Sequence, residues 1–219
     1  MIQEQIQALT TLLPEYVQLV AVSKTKPIED IQIAYNAGQR VFGENKAQEL
    51  VEKQSVLPKD ILWHFIGHLQ TNKVKYIAPF VHLIHSIDSE KILIEVNKEA
   101  KKNNRTISCL LQFHIAQEES KFGFSFEEVK EMIESERFIQ YSNIQIIGIM
   151  GMASFTENEE LIREEFQTLH DYFHVLKSHY FKFNTEFKEI SMGMSGDYKI
   201  AIEQGSTMIR LGSTIFGSR

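Results

Sequence analysis

A chain of 219 residues is long enough to bury one substantial core, so a single domain spanning 1–219 is expected. With 43% hydrophobic and 24% charged residues, it has the balance of a soluble globular protein and not of a disordered or membrane-embedded one. A formal net charge of -6 argues against a general nucleic-acid binder, which needs a basic surface, and a lone Cys109 leaves neither an internal disulfide nor a thiolate cluster for a metal.

Ile2 to Leu13 has helical spacing, but acid and glutamine interrupt its apolar positions, so it has neither the basic n-region nor the apolar core of a secretion signal. No apolar run approaches the ~20 residues of a membrane helix. A reducing, cytoplasmic setting fits the cysteine usage. Short runs rich in Val, Ile and Phe then recur, and they predict strands at about 17–24, 41–45, 61–67, 83–88, 108–115, 144–152, 187–193 and 208–211. Helical, charged stretches separate them near residues 27–37, 45–54, 72–78, 89–103, 125–137, 157–178 and 197–204, several opening on Pro, Ser, Asp or Asn.

Eight strands alternating with helices are expected to run parallel. An open, doubly wound sheet holding a dinucleotide would carry a glycine-rich turn after its first strand. Here that strand ends in Ser23-Lys24-Thr25-Lys26-Pro27, without glycine, which favours a (β/α)₈ TIM barrel. Only residues 212–219 follow the last predicted strand, too few for a full closing helix. The N-terminal helix is therefore expected to cover the gap after strand eight.

Barrel sites sit at the carboxyl ends of the strands, often with phosphate held after strands seven and eight. Lys24 ends an apolar strand, where partial desolvation favours the neutral amine that attacks an aldehyde; read alone, a lysine snorkelling to solvent fits as well. Lys26 shares its parity and is the rival, although Pro27 breaks the strand and makes Lys26 a rim residue. Ser191-Met192-Gly193-Met194-Ser195-Gly196-Asp197 and Arg210-Leu211-Gly212-Ser213-Thr214 follow strands seven and eight with small residues that can present backbone N–H groups to an anion. An ordinary helix cap at Ser195 or Asp197 accounts for the first of these equally well. Arg210 has no carboxylate beside it in sequence and either joins a structural ion pair or meets a ligand. Asn45 and His64 end strands two and three and are expected at the same mouth, although a satisfied structural hydrogen bond accounts for each equally simply. His170 and His174 lie four apart on a long helix but lack the HExxH pattern and a third ligand, and His82 and His85 should point to opposite faces, so no metal site is expected.

These motifs, with Phe42-Gly43-Glu44-Asn45, Trp63-His64-Phe65-Ile66-Gly67-His68-Leu69-Gln70-Thr71-Asn72-Lys73, Glu119-Ser120-Lys121-Phe122-Gly123-Phe124 and Ile215-Phe216-Gly217, resemble in order and spacing the pyridoxal phosphate homeostasis proteins. The fold of that family is similar to the barrel domain of alanine racemase, and the resemblance covers essentially the whole chain. It implies pyridoxal 5′-phosphate held as a Schiff base on Lys24, with Asn45, His64 and Met192 lining the ring pocket. Ser195, Gly212 and Ser213 would hold the phosphate, and Arg210 would face the pyridine nitrogen. His114 and Gly151 depart from the family's usual Asn and Thr.

A cationic arginine at the ring nitrogen weakens the electron sink, and racemisation needs acid–base groups on both faces of a substrate carbon. The expectation is therefore a carrier that stores, buffers and delivers the cofactor, with no catalytic residue, acting as a monomer in transient contact with cofactor-dependent apoenzymes. A fold-type III enzyme such as an amino-acid racemase is the alternative, and a regulatory module whose partner binding follows cofactor occupancy is a third reading. A second lysine, Lys26 or Lys121, is a candidate for holding cofactor in transit.

Overall fold

The computed structural model describes residues 1–117 and 122–217. Eight parallel strands, β1 (Gln18–Val22), β2 (Val41–Glu44), β3 (Leu62–Phe65), β4 (Leu83–Ile87), β5 (Ile107–Gln112), β6 (Ile144–Met150), β7 (Glu189–Ser191) and β8 (Met208–Leu211), close into a barrel in sequence order. The ring closes where β1 pairs with β8, with Val20 opposite Arg210 and Ala21 opposite Leu211. Nine α-helices are described: α1 (Ile2–Leu12), α2 (Ile28–Asn36), α3 (Ala47–Val56), α4 (Thr71–Ile77), α5 (Glu90–Lys102), α6 (Phe126–Glu134), α7 (Glu159–His179), α8 (Tyr198–Glu203) and α9 (Ser213–Phe216). Among the described residues no helix is long and apolar enough to cross a membrane.

Alternation along each strand divides the core into two layers. Outward residues such as Ala21, Phe42, Trp63, Phe65, Ile84, Cys109, Leu111, Ile149, Ile190 and Ile209 join the helix-facing cluster with Ile31, Leu50, Val74, Leu93, Phe166 and Leu169. A second cluster of Val20, Val41, Leu83, Leu110, Met150 and Met208 fills the barrel's interior. This parity fixes the site, because it turns Val20, Val22 and Lys24 inward and Ser23 outward. Gly148 lets β6 and β7 approach: a Cβ there would stand 1.9 Å from the Glu189 carbonyl oxygen.

The N-terminal helix packs on both α2 and α9, burying Ile6 and Leu9, and so covers the gap after β8 as expected. The four-residue α9 had no sequence counterpart. Several strands also stop short of their apolar runs: β7 covers three residues instead of the expected 187–193, and β3 ends at Phe65. Past the last ladder pairs the chain turns over the barrel mouth, where Ile66 and Gly67 line the cavity while Met192 stays buried under the helices.

Candidate functional site

A cavity of about 540 Å³ opens at the carboxyl ends of the strands, within the range of small-molecule sites (roughly 300–1,000 Å³). Lys24, Asn45, Ser195, Arg210, Gly212 and Ser213 all line it, so six of the expected residues come together there. Lys24 is half-buried, and among the described residues its amine has no hydrogen-bond or ion-pair partner. The rival Lys26 is absent from this wall: its Nζ donates to the carbonyls of Phe216 (3.1 Å) and Gly217 (3.2 Å) at the end of α9. Lys121, with Glu119 and Ser120, lies outside the described residues.

The backbone around Lys24 is anchored on both sides. Ser23 Oγ donates to Glu44 Oε1 at 2.6 Å, and the Thr25 N–H donates to Glu49 Oε1 at 2.6 Å. Lys53, reaching up from α3, gives its three N–H groups to the Ser23 carbonyl (2.8 Å), Glu44 Oε1 (2.8 Å) and Glu49 Oε1 (2.7 Å). Thr25 takes a left-handed φ of 64°, unusual for a β-branched residue, and its bond to Glu49 holds it there. Burial pushes the Glu44 carboxyl above its ordinary pKa, opposed by the bonds from Lys53 and Ser23. Burial also acts to raise Glu49, but hydrogen bonds from Lys53 and from the Thr25 backbone outweigh it and hold Glu49 below its ordinary value. Sequence reading missed Lys53 and gave Glu44, part of the strand-two motif, no role; outward parity on β2 and β1 and a lysine two turns into α3 were the available signal.

Beside Lys24, the neighbouring strand β8 brings a second cation to the wall. Arg210, nearly fully buried, donates through Nη1 to Ser191 Oγ (2.5 Å) and through Nη2 to the Gly151 carbonyl (3.0 Å). It makes no ion pair among the described residues, and burial lowers its pKa to about 10, with the charge of Asp197 acting to raise it; the guanidinium stays protonated. The turns after β7 and β8 meet where the Gly212 N–H donates to Ser195 Oγ at 3.3 Å. Asn45 is held against the next loop by Gly67, whose absent Cβ would fall 2.5 Å from the Asn45 carbonyl oxygen.

His64 and Met192 do not line the cavity. His64 lies one inward position below Ile66, which does, and it is buried in the barrel with Nδ1 2.9 Å from His85 Nε2. Met192 points outward, into the layer under the helices, and Met194 lines the cavity in its stead. His68 also lines it, its ring stacked 3.9 Å from Phe122 and its Nδ1 2.7 Å from Asp88 Oδ2. His170 and His174 bring their Nε2 atoms within 3.0 Å on the outer side of α7, but no group of three metal-ligating side chains occurs among the described residues.

Does the wall suit pyridoxal 5′-phosphate? Asn45 Oδ1 is buried without a hydrogen-bond partner, a costly state unless a bound group supplies a donor, as a ring hydroxyl would. An unpartnered amine for an aldehyde, two cations in an otherwise acidic protein and two small-residue turns for an anion complete the match.

Comparison with known proteins agrees. The family model of the alanine racemase N-terminal domain matches residues 1–219. The pyridoxal phosphate homeostasis protein of Aquifex aeolicus is 40% identical over 203 residues, covering 92% of this chain and 87% of its own. The human protein of that name is 38% identical over 214 residues, covering 92% of this chain and 76% of its own. PipY of Synechococcus elongatus, solved with pyridoxal phosphate bound, superposes with a TM-score of 0.90 at 32% identity, covering 99% of this chain and 100% of that one. Alanine racemase of Bartonella henselae shares the fold alone, with a TM-score of 0.72 at 15% identity over 99% of this chain and 58% of its own. Fold, cavity wall and sequence identity along most of its length agree that the chain belongs to the pyridoxal phosphate homeostasis protein family.

Proposed function

We propose that this protein is an intracellular carrier of pyridoxal 5′-phosphate that stores, buffers and delivers the cofactor and is not itself an enzyme. The observation that carries this reading is the Lys24 amine, unpartnered among the described residues, on the same cavity wall as Arg210, Asn45 and the two turns. The names of the relatives and the pyridoxal phosphate in PipY support it.

When bound, the cofactor supplies an aldehyde that condenses reversibly with an amine and a ring that withdraws electrons from that amine. Lys24 offers the attacking nitrogen, and the anchors on Ser23 and Thr25 keep it at the mouth. Ser195, Gly212 and Ser213 would hold the phosphate, and Asn45 Oδ1 would accept from the ring hydroxyl. The fixed positive charge of Arg210 would disfavour protonation of a nearby ring nitrogen and so weaken the electron sink. Racemisation would also need a second proton-transfer group on the far face. No tyrosine lines the cavity among the described residues, His68 has its Nδ1 engaged by Asp88 and its ring on Phe122, and the lining carboxylate Asp197 accepts through Oδ1 from the Met194 N–H in the turn after β7. In this reading one barrel of residues 1–219 acts as a cytoplasmic monomer that meets apoenzymes transiently.

Incubation with pyridoxal 5′-phosphate, borohydride reduction and peptide mapping should place one pyridoxyl group on Lys24 and none in Lys24→Ala. An unlabelled Lys24 would refute the site. Screening amino acids for α-proton exchange in deuterated water tests the carrier role, and sustained turnover by pure protein would make the racemase-like enzyme the better reading.

A further inference from the structure

The interior of the barrel carries a polar chain of which the site as described uses only Arg210. Four inward-facing side chains from four strands, Arg210 (β8), Ser191 (β7), His85 (β4) and His64 (β3), are all buried and linked in series. The links measure 2.5 Å from Arg210 Nη1 to Ser191 Oγ, 2.9 Å from Ser191 Oγ to His85 Nδ1, and 2.9 Å from His85 Nε2 to His64 Nδ1. Arginine can only donate, so Ser191 Oγ accepts from it, and among the described residues the one acceptor in reach of the Ser191 hydrogen is His85 Nδ1. With Ser191 donating to His85 Nδ1, neutral His85 carries its hydrogen on Nε2 and donates to His64 Nδ1. Both rings are neutral, because burial holds each far below the ordinary imidazole range.

We propose that Ser191, His85 and His64 are positioning residues for Arg210: they fix its guanidinium and solvate its charge with aligned dipoles in place of a directly bonded carboxylate. A carboxylate counter-ion would cancel the field that Arg210 exerts into the cavity; a chain of neutral groups, each with its acceptor toward the arginine, supports the cation and leaves that field intact. The other groups facing the chain are His82, whose ring stacks on His64 at 5.6 Å, and, at the cavity end, Asp197, whose charge reaches Arg210. The inference rests on the cofactor reading above.

The test uses the full-length protein with pyridoxal 5′-phosphate as the probe, in wild type, Ser191→Ala, Ser191→Thr, Ser191→Asp and His85→Leu. Hydride trapping on Lys24, the pH profile of the bound cofactor's absorbance, the dissociation constant and the apoprotein melting temperature are read for each. Ser191→Ala and His85→Leu should still trap on Lys24 but bind roughly ten- to a hundredfold more weakly, the weight of one hydrogen bond to a charged group. Ser191→Thr, which keeps the hydroxyl, should restore wild-type affinity. Ser191→Asp should bring a pH-dependent change of the absorbance band between pH 6 and 9 that wild type lacks, as the ring nitrogen becomes able to take a proton. If Ser191→Ala and His85→Leu keep the wild-type affinity and profile, if Ser191→Thr is as impaired as Ser191→Ala, or if only melting temperatures move, the positioning role is wrong. Failure of wild type to trap on Lys24 instead overturns the cofactor reading, and this inference with it.

Discussion

Lys53→Met removes the ammonium on which the anchors beside Lys24 converge while keeping a side chain of similar length. The wild-type amine is buried and spends all three hydrogens, two of them on the Ser23 carbonyl and Glu44 Oε1 inside the protein. Its loss leaves Glu44 fully buried with Oε1 held by Ser23 alone and Oε2 already without a partner. Breaking a buried pair from one side typically costs about 3–5 kcal/mol. The bond to Glu49 adds little, because that carboxylate is partly exposed. At roughly 2–4 °C per kcal/mol for a chain of this size, the melting temperature should fall by about 6–20 °C.

The loss should depend on pH in a particular direction. Folding raises the pKa of Glu44, so the folded state binds the proton more tightly and stability declines as pH rises from the ordinary value of 4.5 through the folded one. Removing Lys53 deletes two influences that lower that pKa and extends the window upward, so the variant's deficit against wild type should be larger at pH 8 than at pH 5. Thermal melts of the apoprotein at the two pH values measure this, and Glu44→Gln should recover part of the loss in the double variant. A deficit below about 1 kcal/mol, the range of an exposed pair, or one equal at both pH values, would refute the reasoning.

Other outcomes follow from single contacts. Gly67→Ala would drive a Cβ to 2.5 Å from the Asn45 carbonyl, so it should cost about 1–3 kcal/mol and weaken pyridoxal 5′-phosphate binding; unchanged melting and titration curves would contradict that clash. Thr25→Asn suits the left-handed backbone better and keeps the N–H to Glu49, so a gain of up to about 1 kcal/mol is expected in chemical denaturation, and a clear loss would count against strain at this turn. Cys109 is fully buried in β5 and burial pushes its thiol pKa up, so iodoacetamide at pH 8 should leave the native protein unmodified and label it fully in denaturant; steady labelling of native protein would argue otherwise.

Strand count, parallel order and the covering role of α1 were legible because period-two burial and helical spacing leave strong marks in a barrel sequence. Lys24 was legible for the same reason: counting inward positions from Val20 leads directly to it. The six residues on the cavity wall come from strand ends and the turns just beyond, where parity and glycine content suffice. Depth was harder. His64 and Ile66 share a parity, and nothing in a one-dimensional pattern tells that the imidazole sits a full layer below the mouth and turns toward His85. Met192 was placed at the ring pocket by the family resemblance alone; with Ile190 and Met192 in the helix-facing cluster, alternation along β7 turns Ser191 inward instead. The Lys53–Glu44 contact joins α3 to the outward face of β2, and such pairings depend on how a helix settles against its strand.

The seam of the barrel joins elements far apart in sequence: β1 completes its pairing only with β8, and α1 rests on α9. During synthesis α1 and β1 therefore emerge with apolar surface for which no partner yet exists, and ring closure must wait until β8 and α9 have left the ribosome. Shortening the chain by the final strand would strip Lys24 of its neighbour Arg210 and leave β1 as a bare edge, open to pairing with other molecules.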